Sequence, residues 1–145
     1  MRGFTLLELL LAAAVAGILA ALAAPAYRNI TQRTLRHEAR LALTRLQVQQ
    51  EQHYAMHHRY AARIAGQADT DALAFAALSD SAAYELAIDA GDDGQTYVAT
   101  ARAAAAGRQA DDRECRAFSV DQTGRRRSAN AAGVWSDGNA GRCWR

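Results

Sequence analysis

A few groups of residues in this chain have types and spacings that could carry chemistry. His53 and His57 stand four apart, with His58 beside them and Glu51 nearby, so on a helix they would offer a pair of metal ligands. No third ligand is evident, because His37 lies too far back along the chain, and the plainer reading is polar residues at a helix end. Asp92-Asp93-Gly94 and Asp137-Gly138-Asn139 have the acid-and-glycine make-up of a calcium loop without its ligand density, and they read as turns. Arg125-Arg126-Arg127 is a run of cations directly after Gly124, suited to carboxylate or phosphate. Glu8 stands one turn into an apolar run, where a carboxylate is costly in lipid unless it has a partner. No nucleophile motif, phosphate loop or pair of catalytic carboxylates accompanies these groups. The chain reads as a non-enzyme that needs no cofactor and no metal.

The elements that position these residues follow from length and pattern. The chain has 145 residues, enough for one domain with a modest core. Half of it is apolar, which excludes a disordered chain, but Ala supplies 36 of those positions, so the core is built from small side chains. All 17 basic residues are Arg, and a net charge of +2 does not by itself mark a nucleic-acid binder. The charge is unevenly spread. Residues 9–26 carry none; 28–63 hold seven Arg against two Glu; 64–114 hold three Arg against ten acids; 115–145 hold six Arg against two Asp. An apolar tip, a basic rod, an acidic middle and a basic end follow one another.

As a helix, Leu9–Ala26 would reach about 27 Å, close to the thickness of a bilayer's hydrocarbon core. A secretory signal is one reading of it, with Ala21-Leu22-Ala23 as the exit. Such a signal has no use for Glu8. Beyond Tyr27 the helical pattern continues, with Leu35, Ala39, Ala42, Leu43, Leu46, Gln50, His53, Tyr54 and His57 on one face and Arg33, Arg36, Arg40, Gln47 and Glu51 opposite. One helix of roughly 50 residues is expected, locally weakened at Pro25, which lacks an N–H. Residues 61–80 read as a loop with one short helix near Asp71–Leu78. Alternation over Tyr84–Asp89, Tyr97–Arg102 and Arg116–Val120 predicts strands, with turns at Gly91–Gly94 and Asp121–Gly124. The fold class is α+β: a three- or four-stranded antiparallel sheet laid on the apolar stripe of a long N-terminal helix.

Gly3-Phe4-Thr5-Leu6-Leu7-Glu8, followed by an apolar stretch ending in Pro25-Ala26-Tyr27, resembles the N-terminus of a type IV prepilin. The resemblance implies cleavage between Gly3 and Phe4 by a prepilin peptidase, N-methylation of Phe4, and a role for Glu8 and Pro25 in assembly. On that reading residues 1–3 are the leader, 4–27 the membrane and assembly helix, and 28–145 the globular head. Cutting after Gly3 would place an ammonium near Glu8, and the same carboxylate could neutralise the ammonium of a neighbouring subunit. A buried pair of that kind acts as a register device more than as a source of stability.

The other end of the chain extends the likeness. Cys115, then Phe118-Ser119-Val120-Asp121-Gln122-Thr123-Gly124, then Cys143-Trp144, is similar to the disulfide-bounded C-terminal region of bacterial type IV pilins. In a head outside the cytoplasm two cysteines would be oxidised. The resemblance implies a structural subunit of a type IV pilus, inserted once in the inner membrane before assembly and extracellular afterwards. Its partners would be other pilin subunits, the prepilin peptidase and the inner-membrane assembly machinery. Adhesion, twitching motility and DNA uptake are the roles that go with such filaments. The alternatives are a minor pilin that binds DNA through a basic C-terminal loop, and a type II secretion pseudopilin. Arg125, Arg126 and Arg127 fall inside the cysteine-bounded segment, where an irregular surface loop is expected. They read first as a basic loop docking the acidic middle of a neighbouring subunit, and second as a DNA contact.

Overall fold

The structure is a computed structural model. It describes residues 5–137 and 142–144, with only the backbone described at residues 23–26. The elements in chain order are α1 (Leu6–His57), β1 (Arg63–Ala65), β2 (Ala72–Ala74), β3 (Tyr84–Ala90), β4 (Tyr97–Ala103), β5 (Ala117–Asp121), β6 (Arg126–Ala129) and β7 (Trp135–Asp137). The chain divides into two compact units, one up to Arg33 and one from Thr34 onwards.

The first unit is the N-terminal part of α1. Thr5 caps the helix: its hydroxyl oxygen accepts the Glu8 amide N–H at 3.3 Å, and Glu8 places a carboxylate in the first turn, where the helix dipole favours it. Leu6, Leu7, Leu9, Leu10, Leu11, Ile18, Leu19 and Leu22 are all exposed. The most apolar 18-residue window of α1 has a mean hydropathy of 2.4 and none of it is buried, so by length and composition this segment is apolar enough to cross a membrane. The helix is continuous in backbone through position 25, and the Pro25 side chain lies outside the described residues.

In the second unit the rest of α1 buries the expected stripe. Leu35, Ala39, Ala42, Leu43, Leu46, Gln50 and His53 are buried and Tyr54 is half-buried, whereas His57 is exposed. The helix ends at His57, and His58 takes the left-handed conformation (φ 55°) more usual for glycine, its N–H donating to the Tyr54 carbonyl at 2.8 Å. Gln50 fastens the returning chain, donating to the Ala61 carbonyl and accepting the Ala61 N–H, both at 2.9 Å.

The stripe packs in one core with a five-stranded sheet of order β3-β4-β5-β6-β7, antiparallel throughout. Alternation decides which side chains enter the core. Tyr97, Ala99, Ala101 and Ala103 of β4 are buried, and Leu86, Phe118 and Val120 of the neighbouring strands lie with them. Alanines on both the helix and β4 make this a core of small side chains closed by large ones. Tyr60 and Tyr97 meet at 4.7 Å between ring centroids, and Phe118 meets Trp144 at 5.6 Å.

The structure corrects the sequence expectation at three places. The sheet has five strands, because β6 and β7 continue it beyond β5. The segment expected to hold a short helix near Asp71–Leu78 contains β2, paired in parallel with β1, because Leu73 and Ala72 are buried on a backbone that can bond to Arg63–Ala65. The arginine run is not an irregular loop. Arg126 and Arg127 open β6, since Asp121 closes a tight turn that returns the chain along β5.

Candidate functional site

The basic C-terminal region is built by that turn. One Asp121 carboxylate oxygen accepts the Thr123 hydroxyl at 2.6 Å, the Thr123 N–H at 2.9 Å and the Arg125 N–H at 3.0 Å. Burial raises the Asp121 pKa, but these hydrogen bonds outweigh it and hold the carboxyl below the usual carboxylate range. Gly124 takes φ +76°, which reverses the chain without strain.

Pairing then separates the three arginines. Val120 faces Arg126 and Ser119 faces Arg127 across β5 and β6, so Arg126 emerges on the core side of the sheet and Arg127 on the opposite side. Each guanidinium lies over a tryptophan. Arg126 is 5.3 Å from the ring centroid of Trp144, and Arg127 is 5.7 Å from that of Trp135. Trp144 is fixed by its indole N–H, which donates to the Arg127 carbonyl at 3.0 Å. Arg125 makes a forked bond to Asp137, from Nη2 to Oδ1 at 2.9 Å and to Oδ2 at 3.2 Å, with Nε also 3.2 Å from Oδ1. Arg127 Nε is 3.9 Å from the same carboxylate oxygen. Arg125, Arg126 and Arg127 are all exposed. Their adjacency in sequence therefore becomes two sites on two faces of one strand.

A second polar centre ties this region to the helix. Asp112, in the β4–β5 connection, accepts from Arg36 Nε at 2.7 Å and Arg36 Nη2 at 2.8 Å, from Gln109 Nε2 at 2.7 Å, and from the N–H groups of Glu114 and Cys115 at 3.0 Å each. Burial alone would raise its pKa, but the Arg36 guanidinium and the two amides hold it below the usual range. Cys115, positioned by that carboxylate, is disulfide-bonded to Cys143 with Cα atoms 5.6 Å apart. The bridge therefore leads from the helix-anchored carboxylate to the segment that carries Trp144.

The remaining candidates separate. Glu8 is exposed at the first turn of α1, and Gly3 and Phe4 lie outside the described residues. His53 is buried, with Nδ1 2.9 Å from the Arg59 carbonyl and Nε2 3.3 Å from the Asp69 carbonyl, so both ring nitrogens face backbone oxygens. His57 stacks on it at 4.4 Å. Among the described residues no group of three His, Cys, Asp or Glu could hold a metal. Asp93 accepts the Gln95 N–H at 2.9 Å, in the manner of a turn residue. Asp137 belongs to β7, and Gly138 and Asn139 lie outside the described residues.

Sequence reasoning misses the partners of Arg36 and Asp137, and it misses Asp112 and Trp135 altogether. Periodicity places Arg36 on the solvent face of the helix, yet its long side chain turns to Asp112 and is only 14% exposed. One signal points to the tryptophans: both Trp residues of the chain fall in its basic C-terminal segment, interleaved with Arg.

Comparison with known proteins identifies the family of the chain. A family model described as "Type IV minor pilin ComP, DNA uptake sequence receptor" matches residues 25–119, and one for the prokaryotic N-terminal methylation motif matches residues 1–24. No curated protein matches the chain. Among solved structures, a type IV pilin from Shewanella oneidensis is similar at 23% identity and a TM-score of 0.48, with 72% of this chain and 98% of that one covered. The methylation motif accounts for the exposed apolar start with Glu8 in its first turn, the pilin model spans more than half of the chain, and the family is one of pilins rather than of enzymes. The chain thus belongs to the type IV minor pilin ComP family.

Proposed function

We propose that this protein is a minor type IV pilin that binds DNA for uptake. The observation that carries the proposal is the family match over residues 25–119, whose description names a DNA uptake sequence receptor. The exposed arginines of the β5–β6 hairpin support it, because guanidinium forks suit phosphate oxygens and a strand can follow a nucleic-acid backbone.

On this reading the chain is made as a precursor, cut between Gly3 and Phe4 and methylated at Phe4 by a prepilin peptidase. Its apolar helix holds it in the inner membrane as a single pass, with residues 28–145 as the head outside. Assembly machinery then moves it into a filament of pilin subunits through lateral packing of N-terminal helices, where Glu8 neutralises a neighbouring terminal ammonium and Pro25 lets the helix stretch. Arg125, Arg126 and Arg127 contact DNA phosphates.

The test is binding of a 20-base-pair duplex by the full chain in neutral detergent, measured at two salt concentrations. Affinity should fall with salt, and the triple change of Arg125, Arg126 and Arg127 to Ala should reduce the log–log slope by about 0.9 for each phosphate no longer neutralised. Duplex binding that is absent, or identical in the triple variant, would sink the assignment of the hairpin. In cells, deletion should leave filaments in place and abolish DNA uptake. Loss of filaments on deletion would favour a main structural subunit whose basic hairpin docks the acidic region of its neighbour.

A further inference from the structure

We infer that Asp137 is a built-in counter-anion of the DNA site, occupying the arginine donors that a phosphate must take over. This inference rests on the DNA-binding reading and adds the residue that tunes it. Asp137 reaches Arg125 through a two-pronged bond at 2.9 and 3.2 Å, and the same carboxylate lies 3.9 Å from Arg127. A carboxylate and a phosphodiester present a similar pair of anionic oxygens to a guanidinium fork. In the free protein, then, Arg125 already holds an anion of the kind the ligand would bring, and Arg127 lies within ion-pair reach of the same anion.

The geometry divides labour within the run. Register puts Asp137 opposite Arg127 on the sheet face away from the core, and Arg126 on the other face over Trp144. Stacking holds a guanidinium by its face and leaves its N–H edge for a phosphate, whereas a carboxylate fork uses that edge. Arg126 is thus the arginine prepared to receive a phosphate, Arg125 must first exchange one anion for another, and Arg127, stacked on Trp135, has Asp137 as a neighbouring charge at 3.9 Å. Arg125 and Asp137 are both 61% exposed at the side chain, so the exchange requires no opening of the core. Two cations sharing one fixed anion contribute less net charge to DNA than their number suggests. That lowers both the affinity and its salt dependence.

The experiment compares the full chain and its Asp137→Asn variant, in neutral detergent, binding the same 20-base-pair duplex across a salt series. Asn keeps the size and polarity of the side chain and removes its charge. An exposed ion pair is worth little, so the expected gain in affinity is roughly two- to fivefold, with the log–log slope steeper by about 0.9. Asp137→Ser should behave alike, and an unchanged thermal midpoint should show that the fold is retained. Two controls separate this from a general charge effect. Asp111→Asn removes the same charge from an exposed residue that precedes β5, whereas the arginine run follows it. The turn that opens the arginine run lies at the far end of β5, a strand about 17 Å long and roughly twice the screening length at physiological salt, so this change should affect binding less than Asp137→Asn does. In a chain with Arg125→Gln and Arg127→Gln, Asp137→Asn should no longer tighten binding. Wild-type binding that Asp137→Asn leaves equal or weaker overturns the role of Asp137 alone, as does an equal gain from Asp111→Asn. Absence of DNA binding by every variant overturns the DNA-binding reading, and the role of Asp137 with it.

Discussion

Arg36 and Asp112, 76 residues apart in the chain, form a forked ion pair with Nε to Oδ2 at 2.7 Å and Nη2 to Oδ1 at 2.8 Å. The Asp112 side chain is 1% exposed and accepts three further hydrogen bonds, so it joins the helix, the β4–β5 connection and the cystine. Removing one partner of such a pair leaves a buried charge without compensation. Asp112→Ala should therefore destabilise the head by about 3 kcal/mol. Denaturant unfolding of the full chain in detergent, followed by tryptophan fluorescence, measures it. Arg36→Ala should cost a comparable amount, and the double variant less than the sum of the two.

The same carboxylate sets an acid limit. Its folded pKa is lowered by Arg36 and the two amides against the effect of burial, so its contribution is fully present above about pH 4 and is lost as pH falls through the folded value. Glu38 behaves alike: burial raises its pKa, while bonds from Ser79 and Ser81 outweigh that and lower it. The melting midpoint should drop steeply below about pH 4, and Asp112→Asn should flatten that drop. A midpoint in the wild type that stays level from about pH 5 to about pH 2 would contradict the linkage.

Replacing both Cys115 and Cys143 by Ser should lower stability by about 3.5 kcal/mol, the loop-closure estimate for a separation of 28 residues. The check is the unfolding midpoint of the full chain with and without reductant. Reduction should bring the wild type to the level of the variant and leave the variant where it was.

Gly94 should not tolerate a side chain. It holds φ +67°, and a Cβ there would lie 2.9 Å from the Cβ of Arg59, while its carbonyl accepts the Tyr60 N–H at 2.8 Å. Gly94→Ala should cost about 1–2 kcal/mol from the backbone alone, with the close approach to Arg59 adding to it. A melting curve unchanged from wild type would mean that the turn can relax.

At the N-terminus the proposal of peptidase processing predicts two distinct failures. Gly3→Val should leave a membrane-bound precursor that is neither cut nor methylated, read by mass spectrometry of the native N-terminus. Glu8→Leu should be processed normally yet fail to enter filaments, read by subunit content in sheared surface material. Normal processing of the first variant, or normal assembly of the second, would remove the role assigned to that residue.

Local periodicity is the part of this fold that can be read from the chain alone. The uncharged run behind Glu8, the helical spacing from Leu35 to His53 and the alternation in β3, β4 and β5 each repeat over a few residues, because the geometry of a helix or strand imposes that repeat. The motif at Gly3–Glu8 was legible for a related reason: it is contiguous. Pairings across long stretches of chain come only from the folded state. Nothing in the spacing told Arg36 to leave the solvent face for Asp112, because the partner comes from a connection with no period of its own. Contiguity makes the arginine run one patch in the sequence, whereas the pairing of β5 with β6 sends alternate side chains to opposite faces. Read alone, Asp137 is a turn residue; the hydrogen bonds of β7 bring its carboxylate beside Arg125 and Arg127, and register across strands is set by the whole sheet, not by any one segment.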